Sequence, residues 1–140
     1  MTKPDDVAAL LARSTRVFLI TRRRDGGPTI HPMTGFFADG RITMTTYRKS
    51  AKARNVERDP RAACLMVNGY GKADVQAVCV RGRAGIRSGD AIAPPARATE
   101  APKVSTDVVS RVADRMASGK RVLLDVVPDE AAFVQRLWSD

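Results

Sequence analysis

Thr45-Thr46-Tyr47-Arg48-Lys49-Ser50-Ala51-Lys52-Ala53-Arg54-Asn55 is the stretch of this chain richest in groups that bind anions. Strand-like alternation ends at Tyr47, and Ser50 is a good N-cap for the helix that follows. The first N–H groups of a helix lack partners within it and carry the positive end of its dipole, so such a junction attracts a phosphate. Arg48, Lys49 and Lys52 surround it, and Thr45, Thr46 and Ser50 add hydroxyls. At about 100° per residue, Lys52 and Asn55 share one face of the helix and Arg54, Arg58 and Arg61 fall on another. Lys52 and Asn55 then serve a ligand, while the arginines face solvent or a partner. The plain alternative is a solvated basic helix with no ligand, which is what charge runs usually are.

The remaining chemistry is sparse. His31 is the single histidine and has the right range to move a proton near neutrality, although a lone histidine in a strand is more often structural. Tyr47 and Tyr70 are weaker proton donors. Cys64 and Cys79 lie in separate apolar runs and form no CxxC pair, so they read as buried free thiols rather than a disulfide or a metal site. One histidine and two scattered cysteines cannot supply a structural zinc site of ordinary spacing. No Ser/His/Asp arrangement and no paired carboxylates argue for hydrolysis.

The elements that must position these groups follow from period and punctuation. Residues 4–12 read as a short helix, with Pro4 in its first turn and Asp5 and Asp6 at its positive end. Strands are expected over 16–22, 28–37, 41–47, 61–68, 75–87 and 121–127. Asp25-Gly26-Gly27 and Asp39-Gly40 supply hairpin turns. Pro32 and Gly35 within the second strand point to an edge or a bulge, and Gly82 or Gly85 bends the fifth. The pattern predicts a helix over 50–59 that stops at Pro60. It predicts a loop over 88–103, an amphipathic helix over 105–118 closed by Gly119, and a short terminal helix over 129–137. Six short strands joined mainly by hairpins suggest a single mainly-β domain with helices (α+β) spanning residues 1–140, a small closed or nearly closed barrel, and not a doubly wound sheet.

Composition agrees. The 140 residues are 44% apolar and 28% charged, enough to build one core. No apolar run reaches the roughly 20 residues of a membrane-spanning helix, and MTKPDD has no apolar secretion core, so a cytoplasmic protein with no membrane partner is the expectation. The formal net charge is +9. Residues 1–63 hold 13 basic and 6 acidic side chains, a net of +7, and therefore favour an anionic partner. Nucleic acid bound through Arg54, Arg58 and Arg61 ranks last, because seven aromatic residues and no recognisable motif offer little to read bases with.

An ordered set of short matches gives the chain a resemblance. Leu19-Ile20-Thr21, Asp25-Gly26-Gly27-Pro28, His31-Pro32-Met33, Asp39-Gly40-Arg41-Ile42, Thr45 through Asn55 and Asp59-Pro60-Arg61 occur in the order found in flavin-binding split β-barrel proteins. These are relatives of pyridoxamine 5′-phosphate oxidase and include FMN- and deazaflavin (F420)-dependent oxidoreductases. Val80-Arg81-Gly82-Arg83-Ala84 and the run from Arg121 to Pro128 fit as well, while 88–103 has no match. The resemblance implies a six-stranded split barrel, and a homodimer with two cofactors at the subunit interface. It implies hydride transfer between F420 or FMN and a small unsaturated or carbonyl substrate. It places the phosphate at Ser50 and Lys52 with Asn55 nearby and Lys49 or Arg48 adding charge. Thr45, Thr46 and Tyr47 would line the ribityl chain, and His31, Pro32, Met33 and Thr34 would run beside the ring. The slight lean is towards F420. A nonenzymatic carrier or sensor of flavin, heme or another metabolite, with His31 as an axial ligand, is the alternative.

Overall fold

The computed structural model describes residues 9, 11–12, 16–68, 76–88 and 119–133. Six antiparallel strands form a barrel: β1 (Arg16–Arg22), β2 (Pro28–Ala38), β3 (Arg41–Tyr47), β4 (Arg61–Asn68), β5 (Gln76–Arg87) and β6 (Arg121–Phe133). They close in the order β1-β2-β3-β6-β5-β4. One helix, α1 (Ala51–Arg58), lies between β3 and β4. The six expected strands are all present, and α1 carries the expected Ser50 cap. None of the described helices is long and apolar enough to cross a membrane.

Alternation builds the core. Val17 and Leu19, Ile42 and Met44, Cys64 and Met66, Val78 and Val80, Leu124 and Val126 come from five strands at every second position, and all are buried. Ala53 and Val56 of α1 and Leu11 are buried too. Asp39 and Gly40 both take positive φ, 54° and 73°. That is the twist a two-residue loop needs to return β2 into β3 without splaying them.

The end of the chain departs from expectation. Residues 129–133, expected to begin a terminal helix, continue β6 instead. Pro128 looks like a stop in the sequence, but it stands opposite Gly82 at a register shift between Arg81 and Gly82. The bulge absorbs the proline, and Glu130 to Phe133 then pair with Arg81 to Val78. A waiting strand edge overrides local helix preference. The rest of that helix, most of the 4–12 helix, the 88–103 loop beyond Ser88, the 105–118 helix and the Gly69-Tyr70-Gly71 segment lie outside the described residues.

On the outer face of β3, β6 and β5, buried Asp125 accepts from Thr43 Oγ1 at 2.8 Å and from Arg87 Nε at 2.7 Å, with Arg41 at 3.6 Å. Burial alone would raise its carboxyl, but the hydrogen bonds from Arg87 and Thr43 and the charges of Arg87 and Arg41 outweigh burial and hold it below the usual range. A carboxyl lowered by folding contributes stability above its unfolded value of about 4 and loses it as the pH falls through the folded value. Stability should therefore drop in acid below pH about 4. Asp125→Asn should cost about 1–3 kcal/mol at neutral pH and flatten that acid limb. Urea unfolding of both proteins at several pH values checks this.

Candidate functional site

The ladder between β2 and β3 is incomplete. Only Gly35 to Ala38 pair with Met44 to Arg41. Residues 28–34 of β2 pair with β1 alone, and Thr45 to Tyr47 of β3 pair with β6 alone. Among the described residues the two strands therefore part beyond Gly35 and Met44, leaving a seam in the barrel wall. The Arg23 N–H to Gly27 carbonyl bond sets the parity of the β1–β2 ladder. With that parity, Pro28, Ile30, Pro32 and Thr34 turn their main-chain groups away from β1 and into the seam. Pro28 and Pro32 have no N–H to lose there, which explains two prolines in a long strand. Beyond the last rung of the β2–β3 ladder, that parity leaves the Ile30 N–H and the carbonyls of Pro28, Ile30 and Pro32 facing the seam. Its two walls carry outward apolar side chains, with Ile30 63% and Tyr47 45% exposed.

Helix α1 starts at one end of this seam. Ser50 Oγ accepts from the Ala53 N–H at 3.2 Å and pairs with Thr46 Oγ1 at 2.9 Å. Ser50 and Thr46 thus build the helix start. The Ala51 and Lys52 N–H groups have no partner among the described residues. Lys52 has no carboxylate partner there either. Its charge acts on His31, whose imidazole is pushed below its ordinary value by burial first and by Lys52 second. His31 Nε2 is buried with no hydrogen-bond partner. The histidine is therefore neutral at pH 7.

The Asn55 side chain is turned into the protein. It is 6% exposed. Its Nδ2 donates to Thr21 Oγ1 at 3.1 Å and reaches Thr29 Oγ1 at 3.5 Å, while its Oδ1 accepts from Arg58 Nη2 at 2.8 Å. Thr21 and Thr29 also bond to each other at 2.8 Å. This network ties α1 to the β1–β2 hairpin and so fixes the height of Lys52 against His31. Asn55→Ala leaves those buried hydroxyls short of a partner and should cost about 1–3 kcal/mol, read as a lower urea midpoint.

The separation of Asn55 from the arginine face, expected from ideal helix geometry, does not hold, since Arg58 bonds Asn55 directly. Arg58 also donates to the Arg22 carbonyl, and Arg61 is held by Asp59 at 2.9 Å. Arg48 points away from the junction, donating to the Gly119 carbonyl and to Ser88 Oγ. Lys49 is exposed in the turn. Pleat alternation puts Pro32, Thr34, Thr45 and Tyr47 on the outer face, and His31, Met33 and Thr46 on the inner one. The fold thus sets residues 31–34 and 45–47 along the two strands that flank the seam, with Ser50 and Lys52 at the start of α1 after β3 and the Asn55 side chain buried against the β1–β2 hairpin. Local sequence pattern gives no sign of Arg121. It donates to Thr45 Oγ1 at 3.0 Å and lies over the Tyr47 ring at 4.6 Å. Only strand pairing between residues far apart in sequence reveals it.

Comparison with known proteins fits this geometry. The family model described as pyridoxamine 5′-phosphate oxidase matches residues 4–135. Among solved structures, a conserved hypothetical protein from Mycobacterium tuberculosis superposes with a TM-score of 0.70 at 26% identity, covering 95% of this chain and 84% of that one. An F420 reductase superposes at 0.66 and 20% identity, covering 93% and 98%. A heme binding protein from Mycobacterium smegmatis superposes at 0.70 and 20% identity, covering 99% and 57%. A search of the curated proteins finds no significant match.

Proposed function

The chain belongs to the pyridoxamine 5′-phosphate oxidase family, and from that premise we propose that the seam is a cofactor site and the protein an oxidoreductase. In this reading it transfers hydride between FMN or F420 and a small unsaturated or carbonyl substrate. The observation that carries the reading is the parting of β2 from β3 beside an unpaired lysine at a helix start. A flat heteroaromatic ring has polar atoms along its edge, and the Ile30 N–H with the seam carbonyls suits such an edge. Ile30 and Tyr47 supply apolar walls. Lys52, with the Ala51 and Lys52 N–H groups, holds the phosphate. Ser50 and Thr46 shape that turn, and Thr45 and Tyr47 line the middle. The bound flavin or deazaflavin supplies the redox chemistry, and the protein supplies binding and orientation. His31, neutral beside Lys52, is a poor acid at pH 7, so the proton that follows hydride comes from water in this reading.

A second copy of the chain completes the site. The outer face beside the seam carries Phe18 opposite Pro32 and Leu65, and Ile20 opposite Ile30 and Ala63. This apolar band suits a subunit interface next to the cofactor. Titration with FMN and F420 side by side, followed by cofactor fluorescence and by light scattering for mass, tests both points. Saturable binding of one cofactor to a dimer is expected. No fluorescence change with either would sink the oxidoreductase reading, and a Soret band after heme addition would favour the carrier alternative.

A further inference from the structure

We infer that Arg121 is an anion-reading residue of the seam, additional to Lys52, and takes a phosphate or carboxylate oxygen of the molecule bound there. The inference rests on the seam being a ligand site. Arg121 opens β6 directly opposite Tyr47, on the outer face that Tyr47 and Thr45 share. Among the described residues its hydrogen bond and its ring contact are with neutral groups, the Thr45 hydroxyl and the Tyr47 ring. Its Nε–H is buried and has no acceptor. Several other arginines are compensated by a carboxylate: Arg41 and Arg87 by Asp125, Arg22 and Arg61 by Asp59, Arg23 by Asp25. Arg121 has none among the described residues.

A half-buried guanidinium with an unsatisfied donor and no counter-ion is costly unless an anion arrives. The Thr45 bond and the stacking over Tyr47 hold its plane in place, and a guanidinium so fixed recognises planar oxyanions through paired N–H donors. A purely structural prop for Tyr47 would need the stacking and not the vacant Nε–H. Two sources can supply the oxyanion: the phosphate of the cofactor itself, or an acidic group on the substrate.

The experiment is an arginine Nε–Hε correlation NMR spectrum of the full chain, with the Arg121 signal assigned through Arg121→Lys. The probes are inorganic phosphate, FMN, riboflavin, and succinate added with and without FMN. A shift with inorganic phosphate and FMN but not with riboflavin places the cofactor phosphate on Arg121. A shift with succinate, largest when FMN is present, places a substrate acid there. Either supports the inference, and Arg121→Gln should then weaken that anion at least about tenfold while leaving riboflavin affinity nearly unchanged. A signal that no anion moves overturns it, as does an Arg121→Gln variant that weakens FMN and riboflavin equally. If phosphate moves the signal while neither FMN nor F420 binds, the anion contact stands and the oxidoreductase reading falls. If a cofactor binds and the signal stays still, the reverse holds.

Discussion

Gly82→Ala is expected to destabilise the protein by about 3 kcal/mol or more, lowering its melting temperature by roughly 10 °C or more. A Cβ at Gly82 meets the Val127 carbonyl oxygen and carbon, with the Pro128 Cα at 3.0 Å. All three are main-chain atoms, so no side chain can swing aside. The strand opposite is held there by the bulge that admits Pro128, and moving it back breaks the pairing of Glu130 to Phe133 with β5. Gly85→Ala is the control on the same strand. Its Cβ meets nothing within 4 Å, and its stability should stay within about 0.5 kcal/mol of the parent. Thermal melts of both variants followed by circular dichroism decide it, and equal losses would refute the clash.

Lys52→Ala should weaken the bound cofactor roughly 10- to 100-fold, the equivalent of about 1.5–3 kcal/mol for a charge-assisted contact. The fold should tolerate it, because Lys52 has no partner among the described residues whose loss would leave a buried group stranded. The same variant has a second readout. Lys52 is the charge that adds to burial in lowering the His31 imidazole, so its removal should move the His31 titration upward. As the chain has one histidine, its proton signal is read without ambiguity. Unchanged affinity together with a shifted His31 would place Lys52 at the histidine but not at the ligand.

The barrel was legible because its signals are local. Alternation of Val17 with Leu19 or Ile42 with Met44, and the turn residues Asp39-Gly40, announce strands and hairpins within a few residues of themselves. The Ser50 cap was readable for the same reason. What was hidden depends on the partner across the ladder. Pro128 looks like a stop until Gly82 is placed opposite it, and the helix-forming residues after it pair as a strand once β5 offers an edge. Asn55 looks like a ligand residue from its helix face alone. Its hydrogen-bond partners Thr21 and Thr29 come from a hairpin about 30 residues earlier. Arg121 meets Thr45 across 76 positions of sequence, beyond any local pattern.

The two prolines in the seam have a consequence for how the protein survives in a crowded cell. An unpaired strand edge recruits other strands and is a common origin of fibrils. Pro28 and Pro32 remove alternate donors along this edge, so an intruding strand finds an interrupted row and gains no continuous ladder. Replacing them with valine would restore that row and expose the protein to self-templated association. If the seam holds the proposed cofactor, the chain keeps its wall ajar for a small molecule while denying the same opening to its neighbours.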